Sequence, residues 1–234
     1  MANILALDTS TDACSVALSY NGELLEDFRI IPRQHTKQLL PMVEEILTEA
    51  GISVAQLDAI AFGRGPGSFA GIRIATGAAQ GLAFAAELPV LPVSTLAAIA
   101  LKTTQTQGVS QVIAALDARM NEIYWRAYQL ENDVLVGLGD EMVCPPQALT
   151  LPGSGDWCAA GKGWSYLADM QADVQQAINN PLQDIYPTAG CMVQLAAADF
   201  TAGKGIAPEE AHPVYLRDEV TWKKIDQQKK KSEQ

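Results

Sequence analysis

The sequence predicts an α/β protein of two related lobes, each a mixed sheet flanked by helices. Three observations support this prediction. Strand-like runs open the chain, helical and strand-like runs then alternate up to about residue 105, and an apolar strand ending in Leu7-Asp8 has a counterpart ending in Leu116-Asp117. With 234 residues, 48% of them apolar and 18% charged, the chain is long enough to bury one large core or two modest ones.

The first half opens as a three-stranded meander, in which Asn21-Gly22 is the strongest two-residue hairpin signal. A Gly-Pro-Gly turn and a cap at Ser94 or Thr95 mark the helix starts that follow. The predicted elements are strands 3–8, 13–20 and 23–31, helix 36–50, strand 58–63, helix 68–87, strand 89–93 and a further helix. This is the ribonuclease-H-like order.

The second half repeats this opening with strands at 112–117, 122–130 and 134–143, and a later strand ends at Gly161. A helix from Thr188 to Ala202 is predicted to close this half, because Thr188 suits an N-cap and Gly203 a C-terminal stop. Two such halves predict the actin-like (ASKHA) architecture of duplicated ribonuclease-H-like lobes. We expect lobes at 1–105 and 106–222 and a charged tail at 223–234.

Charge and composition exclude several classes of protein. The net charge is −11, and residues 1–222 hold eleven basic against twenty-five acidic side chains, so tight binding of a phosphate backbone by this chain alone is not expected. The four scattered cysteines predict buried thiols rather than a zinc or redox motif. The chain begins directly in a strand and has no apolar run of about 18 residues, which predicts a cytoplasmic protein without a membrane span.

The two strand-turn-strand corners are where an actin-like fold holds nucleotide phosphates, and both lack the glycine that lets a backbone approach phosphate. The first corner offers Asp8, Thr9 and Ser10 as weak candidates for binding ATP or ADP. The alternative, which we prefer, is that Asp8 and Asp117 cap their own turns. The loop before residue 68 is similarly open to two interpretations, an anion site at a helix N-terminus or a tight turn with Ser68 as N-cap.

The sequence contains no recognisable set of catalytic residues. The two histidines, His35 and His212, have no histidine partner at helical spacing, and no base and orienting group accompany a serine or cysteine nucleophile. The residues therefore indicate neither a metal site nor a catalytic triad.

Two helices carry more apolar or small residues than one face requires. Residues 36–50 show two apolar stripes, and the run 68–87 contains Gly71, Gly77 and Gly81 with few charges. A mid-helix glycine lowers stability by about 0.5 to 1 kcal/mol relative to alanine, so close packing on both sides is the natural explanation. From the residues alone, such helices are either wholly buried in their own domain or shared with another protein.

Four segments carry a resemblance to a known family. They are residues 4–18, the run Gly63-Arg64-Gly65-Pro66-Gly67-Ser68-Phe69-Ala70-Gly71-Ile72-Arg73, residues 116–125, and Pro213-Val214-Tyr215-Leu216-Arg217. Together they resemble the TsaB (YeaZ) family of the TsaD-related, glycoprotease-like proteins across nearly the whole chain. One departure is Ala70, where the family usually has threonine, and it puts only that hydroxyl in doubt.

The resemblance implies an accessory subunit that pairs with the catalytic subunit TsaD, is joined by TsaE, forms a homodimer without TsaD, and reaches tRNA only through the complex. The complex transfers threonylcarbamoyl to adenosine 37 of tRNAs reading ANN codons. Thr95 and Ile99 stand where the catalytic relative has its two metal-binding histidines, so no catalytic residues and no cofactor of its own are expected. The alternatives are a glycoprotease-like metallohydrolase and a nucleotide-binding ATPase.

The resemblance also implies that the two helices form the dimer surface. The partner-binding candidates are His35, Thr36, Leu40, Val43, Leu47, Ser68, Phe69, Ile72, Arg73, Thr76 and Gly77. For residues 36–50, the stripe 39/42/46/50 is predicted to pack inward, which leaves Leu40, Val43 and Leu47 facing the partner. The alternative is the reverse assignment of the two stripes.

Overall fold

The structure is a computed structural model that describes residues 2–153 and 155–217. The predicted charged tail at 223–234 lies outside the described residues. The described part of the chain forms a five-stranded sheet and a four-stranded sheet, both mixed and both flanked by helices. The predicted α/β fold of two ribonuclease-H-like, actin-like lobes is confirmed.

The first sheet has the order β3-β2-β1-β4-β5, with β1 antiparallel to β2 and parallel to β4. Its strands are β1 (Ile4–Asp8), β2 (Ala13–Tyr20), β3 (Glu23–Ile30), β4 (Ala59–Gly65) and β5 (Val90–Ser94). β1 is fully buried because it lies at the centre of the sheet, between β2 and β4. Asn21 and Gly22 both take a positive φ, as the predicted two-residue hairpin requires.

The second sheet repeats this opening, with the order β8-β7-β6-β9. Its strands are β6 (Gln111–Arg119), β7 (Glu122–Glu131), β8 (Val134–Cys144) and β9 (Cys158–Ala160). β6 pairs antiparallel with β7 and parallel with β9, just as β1 pairs with β2 and β4. The duplication predicted from Leu7-Asp8 and Leu116-Asp117 is therefore present in the strand pairing.

The helices pack on and between the two sheets. They are α1 (His35–Ala50), α2 (Phe69–Ala86), α3 (Thr95–Gln107), α4 (Ala172–Ala177) and α5 (Ala189–Thr201), with a longer 3₁₀ segment at Lys162–Asp169. α3 joins the lobes, since Leu96 and Ile99 pack against Val112 and Ala114 of β6 in a shared apolar cluster. None of the described helices is both long enough and apolar enough to cross a membrane.

The helix predicted to close the second half instead packs on the first sheet. α5 starts at its predicted cap, where the Thr188 hydroxyl accepts from the Cys191 amide, but Met192 is buried against the first sheet. Apolar contact with the first sheet holds the helix there. The Glu26 carboxylate of β3 adds a hydrogen bond from the Gly190 amide at 2.7 Å, at the positive end of the helix. The prediction was wrong because the helix pattern does not show which sheet covers the apolar face.

Candidate partner-binding surface and interlobe cleft

The first corner is a closed, internally bonded turn. Asp8 ends β1, and its Oδ2 accepts from the Ser10 amide at 3.2 Å and from the Ser10 hydroxyl at 2.9 Å. The Thr9 hydroxyl donates to the Gly71 carbonyl of α2 at 2.6 Å. These three residues are at most 1% exposed. The predicted turn-capping role of Asp8 is confirmed, and both hydroxyls are already engaged within the chain.

Asp8 is an unusual carboxyl group because it is buried and none of the described residues forms an ion pair with it. Its Oδ1 finds no hydrogen-bond partner among the described residues and lies against Gly63, where a side chain would overlap with it. Burial raises the pKa of Asp8 to about 7, against smaller opposing effects of the hydrogen bonds from Ser10. Near neutral pH the group is therefore partly a neutral acid, which is a poor ligand for a metal ion.

The Gly-Pro-Gly turn packs directly on this corner. The Ser68 amide donates to the Ser10 carbonyl at 2.7 Å, and the Ser68 hydroxyl accepts from the Gly71 amide at 3.4 Å as the predicted N-cap. A side chain at Gly67 or Gly71 would overlap with the backbone of the first corner. The tight-turn interpretation is thus confirmed, because two amides that an anion would need are bonded internally.

The second corner has the same carboxylate cap but is open to solvent. Asp117 Oδ1 accepts from the Arg119 amide at 2.7 Å, and Oδ2 accepts from the Arg119 guanidinium at 2.9 Å. The turn carries Arg119, Met120 and Asn121 at positive φ, which is uncommon for three successive residues other than glycine. The predicted capping role of Asp117 is confirmed in this corner as well.

A cleft of about 1490 Å³ separates the two corners. Ser10 and Ser68 line it from the first lobe, and Asp117, Met120 and Tyr124 from the second. Asp8 and Thr9 lie beneath the wall of this cleft rather than in it. Of the three weak nucleotide candidates, only Ser10 therefore reaches the cleft, and its hydroxyl is bonded to Asp8.

The predicted outward stripe of α1 is largely wrong. Val43 and Leu47 are buried in the first lobe's core, and only Leu40, 53% exposed, faces outward. α1 packs on the sheet with one side and on α2 with the next, so both stripes are covered by the chain itself. His35, another partner candidate, is also buried, with its ring Nε2 3.2 Å from the Ala13 carbonyl.

α2 has one closed side and one open side. Ile72 and Thr76 were partner candidates, but both are buried in their own lobe, where the Thr76 hydroxyl donates to the Ile72 carbonyl at 2.7 Å. Gly77 and Gly81 lie on the open side, where an added Cβ would meet no described atom within 4 Å. Phe84 continues this side and is 75% exposed.

The open side of α2 extends the predicted candidates. Gly81 and Phe84 were missed, although their spacing of four and seven residues from Gly77 places all three on one helical face. Thr36, Leu40, Ser68, Phe69, Arg73 and Gly77 are the predicted candidates that the structure leaves exposed. A flat row of glycines beside exposed phenylalanines is suited to close contact with a second backbone.

An aromatic and cationic stack closes one end of this surface. The Arg73 guanidinium lies 3.6 Å from the centre of the Phe69 ring, and its Nε donates to the Tyr215 hydroxyl at 2.7 Å. The Phe69 and Tyr215 rings also pack together, with 5.8 Å between their centres. The stack holds two of the exposed partner candidates in fixed orientations.

The positions aligned with the metal ligands of the catalytic relative lie inside the molecule. Ile99 belongs to the apolar cluster between the lobes, and Thr95 is fully buried at the start of α3. Within residues 2–153 and 155–217, no group of three or more histidine, cysteine, aspartate or glutamate side chains could hold a metal ion.

Comparisons with known proteins agree with this fold. Residues 29–186 match the family described as "TsaD: tRNA N6-adenosine threonylcarbamoyltransferase". The "tRNA threonylcarbamoyladenosine biosynthesis protein TsaB" of Escherichia coli (strain K12) is 44% identical over 226 residues, which are 95% of this chain and 97% of the relative. The protein of the same name from Haemophilus influenzae is 42% identical, over 95% of this chain and 96% of its own length.

A solved structure shows the same relationship as the sequence matches. The structure described as "YeaZ from Pseudomonas aeruginosa" is 46% identical and superposes with a TM-score of 0.87 over 92% of this chain and all of the other. Sequence and structure thus match along nearly the full length of these relatives. The chain belongs to the TsaB (YeaZ) family of TsaD-related, actin-like proteins.

Proposed function

We propose that the chain is a non-catalytic accessory subunit of the machinery that places threonylcarbamoyl on adenosine 37 of tRNA. The observation that carries this proposal is the 44% identity, over 95% of the chain, to a protein named for the biosynthesis of that modified nucleoside. Because the proposed machinery acts on tRNA, we also propose a cytoplasmic location.

The non-catalytic role is supported by the residues of the first corner and of α3. The hydroxyls of Thr9 and Ser10 are bonded within the chain, and Asp8 is buried with a raised pKa. Ile99 packs in an apolar cluster at a position where the catalytic relative places a metal ligand. We therefore propose no cofactor of its own, with ATP or ADP bound weakly or at an interface of the complex.

The proposed partner is a TsaD-type catalytic subunit, and TsaE joins the pair. The open side of α2 supports this proposal, since Phe69 and Phe84 are 59% and 75% exposed and flank two uncovered glycines. Exposed apolar area of this kind is typical of a protein interface. In the absence of TsaD, we propose that the same side pairs with a second copy of the chain.

The proposal also assigns tRNA contact to the complex rather than to this chain. With a net charge of −11, the chain repels a phosphate backbone, and long-range attraction of tRNA must come from a more basic partner. This division of roles is expected of a subunit that supports another protein's active site.

The test is a transfer assay with tRNA, threonylcarbamoyl-adenylate and a divalent metal. We expect no transfer by the chain alone, and transfer above the level of TsaD alone when both subunits are present. Turnover by the chain in a preparation free of TsaD would refute the accessory role. Metal analysis and a nucleotide titration of the same preparation then distinguish a metallohydrolase from an ATPase.

A further inference from the structure

Arg64 stands where the two lobes meet, and it bonds across the boundary. It belongs to β4 of the first sheet, and its guanidinium donates to the Glu141 carboxylate of β8 at 2.9 Å. Ser94, at the end of β5, donates to the other oxygen of the same carboxylate. The Glu141 side chain is only 6% exposed and that of Arg64 22%, so this ion pair is largely shielded from water.

This ion pair differs from the packing of α3 on the second sheet in being directional. The packing of α3 on the second sheet is apolar, and apolar contact favours burial without fixing an angle. A shielded carboxylate that accepts from two groups of the other lobe has few acceptable positions, because losing either partner leaves a poorly solvated charge. Arg64, Ser94 and Glu141 therefore set the angle between the sheets.

The strap, residues 213–217, adds a second link that starts from the same arginine. The Val214 amide donates to the Arg64 carbonyl at 2.8 Å, which fixes the strap to β4. At its other end, the Arg217 guanidinium donates to the Ala118 carbonyl at 3.2 Å and to the Glu122 carboxylate of the second lobe. The Tyr215 ring between them rests on α2 through the stack with Arg73.

The strap also supports the unusual turn of the second corner. The Arg217 guanidinium donates to the Arg119 carbonyl at 3.4 Å, within the run of positive φ angles. A cation bonded to these carbonyls offsets the conformational free energy that three successive positive φ angles cost. The open corner is thus tied to the first lobe at a point separate from the Arg64–Glu141 pair.

We propose that the Arg64–Glu141 pair and the strap form an interlobe lock, which holds the cleft at one width. A two-lobed fold that opens and closes needs a boundary whose contacts exchange during the motion. Here the two links cross the boundary at different strands, and each of them limits how far the sheets can rotate. The chain accordingly behaves as one rigid body.

Pulsed electron paramagnetic resonance tests the lock. Spin labels at Glu49→Cys on α1 and Val134→Cys on β8, in a Cys158→Ser background, report the distance between the lobes. We expect a single narrow distance distribution for the parent and broader ones for Glu141→Gln and Arg217→Ala. Hydrogen exchange of the Val214 amide should be about tenfold faster in both variants, while β1 stays protected.

Lys162→Ala is the matched control, because it removes an exposed pair with Asp184 at the cleft and should change neither measurement. A broad or two-peaked distribution in the parent would overturn the lock, as would unchanged distributions in both variants. If Glu141→Gln also loses protection in β1, the variant has unfolded. The distance distribution of Arg217→Ala then tests the lock, since this variant leaves the Arg64–Glu141 pair intact.

Discussion

Helices α1 and α2 lie side by side on the first sheet, but they place their apolar residues differently. α1 buries five large apolar side chains and leaves only Leu40 outward. α2 buries small residues apart from Ile72, and it leaves glycines and phenylalanines outward. An apolar stripe on a helix can therefore be covered by the chain itself, whereas the exposed glycines of α2 have no packing partner among the described residues.

The largest difference in stability is expected between two substitutions on α1. Leu47→Asp places a carboxylate in the first lobe's core, where an unpaired charge costs several kcal/mol, so this variant should not fold stably. Leu40→Asp changes an exposed position and should keep a native circular dichroism spectrum and melting temperature. Equal melting temperatures for the two variants would show that the orientation of α1 is wrong.

The pH dependence of stability tests the corner on which α2 rests. A raised pKa means that the folded state holds a proton at Asp8 that the unfolded state has already lost. Stability should therefore fall as the pH rises from about 4 to about 7, and remain low above that. The difference is on the order of 2 to 4 kcal/mol.

Asp8→Asn removes this dependence without removing the acceptor for Ser10. The variant should match the parent at pH 4 and exceed it at pH 8 in the free energy of unfolding, measured by urea titration. A parent whose stability does not change between these two pH values would contradict a buried, uncompensated Asp8.

The closed side of α2 should tolerate no side chain at Gly71. Gly71→Ala forces a Cβ onto the Thr9 carbonyl, and overpacking of this kind destabilises by about 1 to 3 kcal/mol. Thermal unfolding measures the loss. If Gly71→Ala were as stable as the parent, α2 would have to lie farther from the first corner than the structure places it.

Substitutions on the open side of α2 should raise the free energy of unfolding rather than lower it. Alanine at Gly77 and Gly81 meets no described atom and favours the helix, so the double variant should gain about 1 to 2 kcal/mol as an isolated chain. Urea titration at a concentration where the chain is monomeric measures this gain. A loss of stability would mean that the two glycines are already packed in the isolated chain.

Local signals were sufficient for most of the fold. The Asn21-Gly22 hairpin, the caps at Ser68, Ser94 and Thr188, and the strand pattern of both halves are set by neighbouring residues, and the structure confirms them. The position of α5 depends instead on its apolar contact with the first sheet and on the hydrogen bond to Glu26, which join segments remote in sequence. No local pattern contains those contacts.

The candidate surface shows the same limit. The exposure of Phe69 and Gly77 agrees with the partner surface that the family resemblance implies, but the burial of Val43 and Leu47 depends on α2 covering the second stripe of α1. Hydrophobic periodicity shows which faces of a helix are apolar, but it does not show how many other elements pack against them. The interlobe contacts of Arg64 and Arg217 likewise join segments far apart in the chain.

The most direct measurement of the proposed role is the affinity of Gly77→Leu for TsaD, by isothermal titration calorimetry. A leucine at this open position should leave the melting temperature equal or higher, yet it should separate two closely packed helices and weaken binding at least about tenfold. Ala198→Leu on the exposed side of α5 is the control and should bind like the parent. If Gly77→Leu also binds like the parent, the open side of α2 is not the partner-binding surface.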